Sequence, residues 1–233
     1  MSRVNAIKEE EIALADLIVA QSDYVAETLR AAGVPTDKIV SLPSAAPPVQ
    51  PARTEFPRDQ VIFLSAGSQS LRKGTHYLLQ AWRSLKSHTG LKLWMVGNNT
   101  LPATFTKDLP GEAWASPAVP KPRLLELYRA ASVLVLPTLA EGFAYVVLEA
   151  MAAGLPIITT RNSGCGSFVQ DGVNGFTFDA YSAEALLATL QRAVAAFGDA
   201  RAWRGLQQAG MAQDYSWDRS ALEYVKKIGR AHV

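Results

Sequence analysis

Val133-Leu-Val-Leu-Pro-Thr138 leads through Leu139 and Ala140 into Glu141-Gly-Phe-Ala-Tyr-Val-Val-Leu-Glu149, and from there directly into Ala150-Met-Ala-Ala-Gly-Leu-Pro156. Four consecutive apolar residues closed by a proline read as a strand buried on both faces, the mark of a parallel sheet. Gly142 turns the chain, and an apolar helix then runs to a stop at Gly154. Glu141 therefore stands on the loop leaving a strand, and Glu149 lies about one and a half turns into the next helix. In an open α/β sheet such loops lie at the carboxyl ends of the strands, where ligands bind. The amides of Ala144, Tyr145 and Val146 point along the helix axis toward that crevice and suit an anion such as phosphate. A carboxylate before and a carboxylate beyond an anion site fit a ligand with hydroxyls on both sides of its phosphates, as a nucleotide-sugar has.

Working outward, Val61-Ile-Phe-Leu-Ser-Ala66 is a second buried strand and opens into the loop Gly67-Ser-Gln-Ser-Leu-Arg-Lys-Gly74. Tyr77, Leu78, Ala81, Trp82 and Leu85 then fall at helical spacing, with the aromatic residues facing the core. Leu91-Lys-Leu-Trp-Met-Val96 is a strand with Trp94 expected in the core. It ends at Gly97-Asn98-Asn99, whose asparagines could line a base pocket. A polar, proline-bearing stretch leads to a helix over 123–131. Strands over 156–160 and 175–179 flank the turn Asp171-Gly-Val-Asn-Gly175, and helices over 183–197 and 200–212 follow. Alternating strands and helices predict a doubly wound parallel sheet, α/β in class, over 59–213. Upstream, residues 1–42 carry the end of a helix, a strand at 17–20, a helix capped by Ser22, and a strand at 38–42: one βαβ-like unit, too small to hold a core alone. Prolines 43, 47, 48, 51 and 57 read as a linker over 43–58, and 214–227 as a C-terminal helix. Residues 228–233, Ile-Gly-Arg-Ala-His-Val, match the translation of a common sequencing adapter and are expected to be read-through.

Composition narrows the function classes. The 233 residues are 48% hydrophobic and 19% charged, enough for one sizeable core. A net charge of +2 is too mild to argue for nucleic acid as a partner. No apolar run reaches the length of a membrane span, and the polar opening residues are not a signal peptide. The single cysteine, Cys165, excludes an intrachain disulfide and a cysteine-rich zinc site, and fits a reducing cytoplasm. It lies in Ser163-Gly-Cys-Gly-Ser167, away from any histidine, and reads as a passive small side chain. His76 and His88, in and after a helix, are not catalytic candidates.

From Gly67 to Asp179 the chain resembles the donor-binding half of group 1, family 4 glycosyltransferases, retaining enzymes of GT-B architecture with two Rossmann-like domains. The resemblance is carried by Gly67 with Arg72-Lys73-Gly74, by Met95-Val-Gly97, by Leu127-Tyr-Arg-Ala-Ala131, and by Asp171-Gly-Val-Asn-Gly-Phe176. It is strongest in Leu136-Pro-Thr-Leu-Ala-Glu-Gly-Phe143 through Leu148-Glu-Ala-Met-Ala-Ala-Gly-Leu-Pro-Ile157. Residues 9–46 resemble the last βαβ of the family's first domain, so the chain is expected to be a fragment. The resemblance implies that Glu149 bonds the ribose hydroxyls and that Glu141 lies beside the donor sugar. The amides after Gly142 and Phe143, at Ala144, Tyr145 and Val146, would face the diphosphate. Lys73, with Arg72 in support, would neutralise the leaving diphosphate, and Gly67, Ser68 and Gly97 would line the same donor pocket. No Asp-x-Asp motif lies near the site, so cationic side chains are expected to replace a metal, with no other cofactor.

Three departures stand out. Ser68 replaces an arginine common in the family, Ala144 replaces a glycine and is expected to narrow the donor pocket, and most of the first domain, with its acceptor site and catalytic histidine, is expected to lie outside this sequence. The expected function is transfer of a sugar from a nucleoside-diphosphate-sugar to an acceptor hydroxyl with retention. The acceptor is open (a saccharide, a lipid-linked sugar or a small molecule), and any membrane association would come through the missing domain. A nucleotide-sugar epimerase of the same architecture and a non-catalytic nucleotide-binding module are the alternatives. A dinucleotide dehydrogenase is disfavoured, because no Gly-x-Gly-x-x-Gly follows the first strand of the main domain.

Overall fold

A computed structural model describes residues 3–45 and 59–228. Most of the proline-rich stretch and the terminal residues 229–233 lie outside the described residues. The chain divides into two compact units, residues 47–214 and residues 1–46 with 215–233.

The larger unit is built on six parallel strands: β3 (Val61–Ala66), β4 (Leu91–Val96), β5 (Glu112–Ser116), β6 (Val133–Leu136), β7 (Ile157–Thr160) and β8 (Gly175–Phe178). Their order across the sheet is β5-β4-β3-β6-β7-β8. The chain winds outward from β3 in one direction and from β6 in the other, so β3 and β6, paired through Phe63↔Val133 and Leu64↔Leu134, flank the topological switch point. Both strands are buried along their whole length, as expected of the apolar run in β6 and of β3, where Ser65 is the one polar residue.

Helices cover the two faces. On one face α3 (Thr75–Arg83), α7 (Ala183–Gly198) and α8 (Ala200–Met211) join the core with Leu78, Trp82, Leu186, Leu190, Phe197 and Trp203, packed against Phe63, Leu93 and Val135. On the other, α5 (Lys121–Ala130) packs on β3 and α6 (Tyr145–Ala152) on β7, while α4 (Ala103–Thr106) is a single turn. Helix starts follow local chemistry. Ser182 accepts from the Ala185 amide, Asp199 from Arg201 and Ala202, and Pro120 and Pro122 open α5.

Two expectations change. The stretch 98–122 contains the edge strand β5, hidden because its residues are mostly exposed and carry no alternation. Trp94 is not a core residue. It is half-buried at the sheet margin, its ring 5.7 Å from that of Trp114, its register partner on β5.

The smaller unit contains α1 (Arg3–Leu14), β1 (Ile18–Ala20), α2 (Asp23–Ala31), β2 (Ile39–Ser41) and α9 (Trp217–Ile228). β1 and β2 pair in parallel, Ser22 caps α2 by accepting from Val25, and Ala20, Ala26 and Ile39 form a small buried cluster. Trp217, Leu222 and Val225 of α9 are exposed. Among the described residues no helix is long and apolar enough to cross a membrane.

Candidate functional site

The loops leaving β3 and β6 meet at the switch point. Gly67 ends β3 at φ +119°, a conformation that side chains disfavour, and a Cβ there would meet no other atom within 4 Å. Gly97, at φ +140° after β4, is held for another reason: a Cβ would lie 1.9 Å from the Gly67 carbonyl oxygen, so the loops leaving β3 and β4 touch backbone to backbone. Buried Gln69 locks them together. Its side-chain amide donates to the Gly67 carbonyl at 2.9 Å, its backbone amide donates to Asn98 at 2.9 Å, and its own carbonyl accepts from Thr100 at 2.9 Å. Gly74 opens α3 in the left-handed region, pressed so closely on Pro137 that a Cβ would lie 1.8 Å from its oxygen. The Leu139 amide and the Thr138 hydroxyl both donate to the Arg72 carbonyl, at 2.9 and 3.2 Å. The basic loop is thereby stitched to the glutamate loop.

This stitching places Lys73, Arg72 and Glu141 together. The Lys73 ammonium pairs with Glu141 Oε2, and both side chains are only 15% exposed. Arg72 Nη1 stands 3.4 Å from the same oxygen and donates to the Ala140 carbonyl at 2.9 Å, on a side chain that is 57% exposed. Two cations on one carboxylate leave a net positive charge at the loop ends, in front of α6. No side chain caps α6 at Ala144, and the first amides of a helix have no acceptor within it. Tyr145 and Ser68 are exposed, Val146 is partly buried, and Ala144 is buried. Phe143 is wedged edge-on between Tyr145 and Phe168, at centroid distances of 4.9 and 5.3 Å.

The Glu141-Gly142 turn rests on the loop after β7. The Gly164 amide donates to the Glu141 carbonyl at 2.7 Å, and a Cβ on Gly164 would lie 2.0 Å from the Gly142 oxygen. Neighbouring Cys165 is fully buried. Burial, reinforced by the charge of Glu141 and opposed by that of Lys73, pushes its thiol up to about 12. It stays protonated at neutral pH and is no nucleophile.

Glu149, the fifth residue of α6, is 5% exposed and has partners of its own. The Tyr128 hydroxyl donates to its Oε2 at 3.2 Å, and the Lys121 ammonium pairs with its Oε1. Burial, and then the charge of Glu149, pushes Tyr128 far above the ordinary phenol range, so its hydroxyl remains a donor. Sequence reasoning missed both partners. Tyr128 lies within Leu127-Tyr-Arg-Ala-Ala131, where nothing in the sequence marks a polar role, and Lys121 lies in the proline-bearing stretch with no pattern to mark it. Beyond the ends of β3, β4 and β5 a cavity of about 490 Å³ is lined by Gln69, Met95, Asn98, Asn99 and Ser116, within the size range of small-molecule sites.

Residues 48–203 match the family model described as glycosyl transferases group 1. The chain belongs to the group 1 glycosyl transferases. The whole constellation from Gly67 to Glu149 falls inside the matched segment. The D-inositol 3-phosphate glycosyltransferase of Xylanimonas cellulosilytica is 30% identical over 250 residues, covering 96% of this chain and 59% of that protein. This group 1 glycosyl transferase chain thus spans about three-fifths of that relative's length. Sucrose-phosphate synthase from Thermosynechococcus elongatus superposes with a TM-score of 0.79 at 22% identity, over 95% of this chain and 60% of that one. Anabaena HepE, crystallised with UDP and glucose, superposes with a TM-score of 0.80 at 16% identity, over 99% and 68%. The fold is the Rossmann-like architecture of GT-B glycosyltransferases.

Proposed function

We propose that this chain carries the donor half of a retaining, family 4 glycosyltransferase that moves a sugar from a nucleoside diphosphate to an acceptor hydroxyl. One observation carries the reading: Lys73 and Glu141 are brought together at the switch point, before the uncapped start of the helix that also bears Glu149. A diphosphate there would meet the amides at the start of α6 and the Lys73 and Arg72 cations, with Glu141 toward the sugar and Glu149 toward the ribose. As the bond between the anomeric carbon and the phosphate oxygen breaks, negative charge grows on the diphosphate, and a cation already in place stabilises it. Retention means that the acceptor oxygen bonds to the carbon on the face the diphosphate leaves, and the acceptor's proton passes to the departing phosphate oxygen. Lys73 and Arg72 take the place of a divalent ion in this scheme. HepE, a fold neighbour, was crystallised with UDP and with UDP-glucose, which supports a nucleotide-sugar donor.

Saturation-transfer NMR with UDP-glucose, GDP-mannose and ADP-glucose tests the reading. The expected result is transfer to base, ribose and sugar protons of one donor, undiminished by a chelator, with no epimerised sugar nucleotide formed. Signals from none of the three with folded protein contradict the donor assignment. Signals abolished by chelator contradict the metal-independent scheme.

A further inference from the structure

We propose that Lys121 is a specificity-determining residue of the nucleotide site: with Glu149 and Tyr128 it forms a three-residue clamp for the vicinal hydroxyls of a ribose, which selects ribonucleotides over deoxyribonucleotides. The proposal rests on the donor reading above and extends it to a residue outside the motifs.

The lone pairs of Glu149 are the basis of the clamp. An ionised carboxylate offers about four acceptor positions on its two oxygens. Tyr128 occupies one on Oε2, and Lys121 occupies one on Oε1. One position remains on each oxygen, which matches the two O–H groups of a cis-diol. The partners also fix the carboxylate. Its side chain is 7% exposed, and a charge so far out of water needs compensation, which Lys121 supplies. Tyr128 is fully buried on the inner side of α5 and anchors the other oxygen.

The asymmetry of exposure gives Lys121 its second role. Its side chain is 46% exposed, whereas the carboxylate it covers is almost sequestered. An ammonium has three N–H donors, and the pair with Glu149 Oε1 engages one. A ribose hydroxyl arriving at Glu149 therefore meets a carboxylate that accepts its proton and an ammonium that donates to its oxygen. A hydroxyl can satisfy both partners at once. A C–H in its place satisfies neither and leaves a desolvated carboxylate short of a donor, the arrangement that discriminates most strongly against a missing hydroxyl.

The test is a titration of the full chain with UDP, GDP and ADP, with their 2′-deoxy counterparts and dTDP, and with inorganic pyrophosphate. It is repeated on Lys121→Met, Lys121→Arg and Tyr128→Phe, with thermal unfolding to confirm the fold of each. The wild-type chain is expected to prefer one ribonucleotide over its deoxy form by about tenfold or more. Lys121→Met is expected to reduce that ratio several-fold while leaving pyrophosphate affinity unchanged, and Lys121→Arg to restore part of it. Equal loss for ribo, deoxy and pyrophosphate ligands would make Lys121 a general attractor of anions and overturn the proposal. So would an unchanged ratio in Lys121→Met, or wild-type preference for dTDP, both of which leave the nucleotide reading standing. Failure of the folded wild-type chain to bind any nucleotide would overturn that reading and the clamp with it.

Discussion

Replacing Gly164 by alanine drives a methyl group into the backbone that carries Glu141. The nearest carbonyl oxygen would lie at 2.0 Å, that of Gly142, with the Glu141 oxygen at 2.6 Å, against ordinary contact from 3.4 Å. One of the two loops must therefore yield by about 1.4 Å. The atoms in the way are backbone, so no side-chain rotation relieves the clash. The shift also breaks the 2.7 Å hydrogen bond from Gly164 to the Glu141 carbonyl. A lost backbone hydrogen bond is worth about 1 kcal/mol and overpacking of this kind about 1–3 kcal/mol, so Gly164→Ala is expected to cost about 2–4 kcal/mol. Urea unfolding measures it as a lower midpoint at unchanged slope. Gly205→Ala is the control. It lies inside α8, where a Cβ meets nothing within 4 Å, and is expected to gain about 0.5–1 kcal/mol from helix propensity. Gly164→Ala with a midpoint equal to wild type would refute the claim that the β7 loop sets the position of Glu141.

Three further outcomes follow from the same geometry. Lys73→Met leaves the nearly buried Glu141 carboxylate with only the exposed Arg72 for compensation and is expected to cost about 1–3 kcal/mol. Adding Glu141→Gln should recover at least about 0.5 kcal/mol, measured as the coupling energy of a double-mutant cycle. Cys165 is expected to resist a thiol reagent at pH 7 and to react only in denaturant, because it is buried and protonated. The same thiol predicts an alkaline limb. The unfolded thiol ionises near 9 and the folded one near 12, so its contribution is complete below pH 9 and falls as pH rises toward 12. Cys165→Ala should flatten that limb in unfolding measurements between pH 9 and 11.

How much of this was legible in the sequence depends on burial. Val61–Ala66 and Val133–Leu136 are fully buried strands, and their apolar runs, interrupted only by Ser65, located them to the residue. Ser22 showed the start of α2 because capping is a local interaction. β5 carried no such mark. It lies at the sheet edge with Glu112, Trp114 and Ala115 exposed, and long-range pairing with β4 makes it a strand. Trp94 was misplaced for a related reason: alternation assigns a face, but not how far along the sheet the covering helix extends. At the site, Lys73 and Glu141 were legible as residues, 68 positions apart, yet only the pairing of β3 with β6 makes them partners. Lys121 and Tyr128 escaped assignment because their role comes from the approach of α5 to α6, and no spacing in the chain encodes it. Gly97 was expected to line the donor pocket. It lines the cavity beyond β4, and its close approach to the Gly67 carbonyl adds a packing reason for its lack of a side chain.

Isothermal titration of the chain with UDP, GDP, ADP and dTDP, alongside Glu149→Ala, decides whether the switch point holds a nucleoside diphosphate. Selective binding of one diphosphate is expected, weakened by roughly 1–3 kcal/mol when the carboxylate is removed. Binding that is unaffected by Glu149→Ala, or no binding of any of the four by a chain shown to be folded, would contradict it.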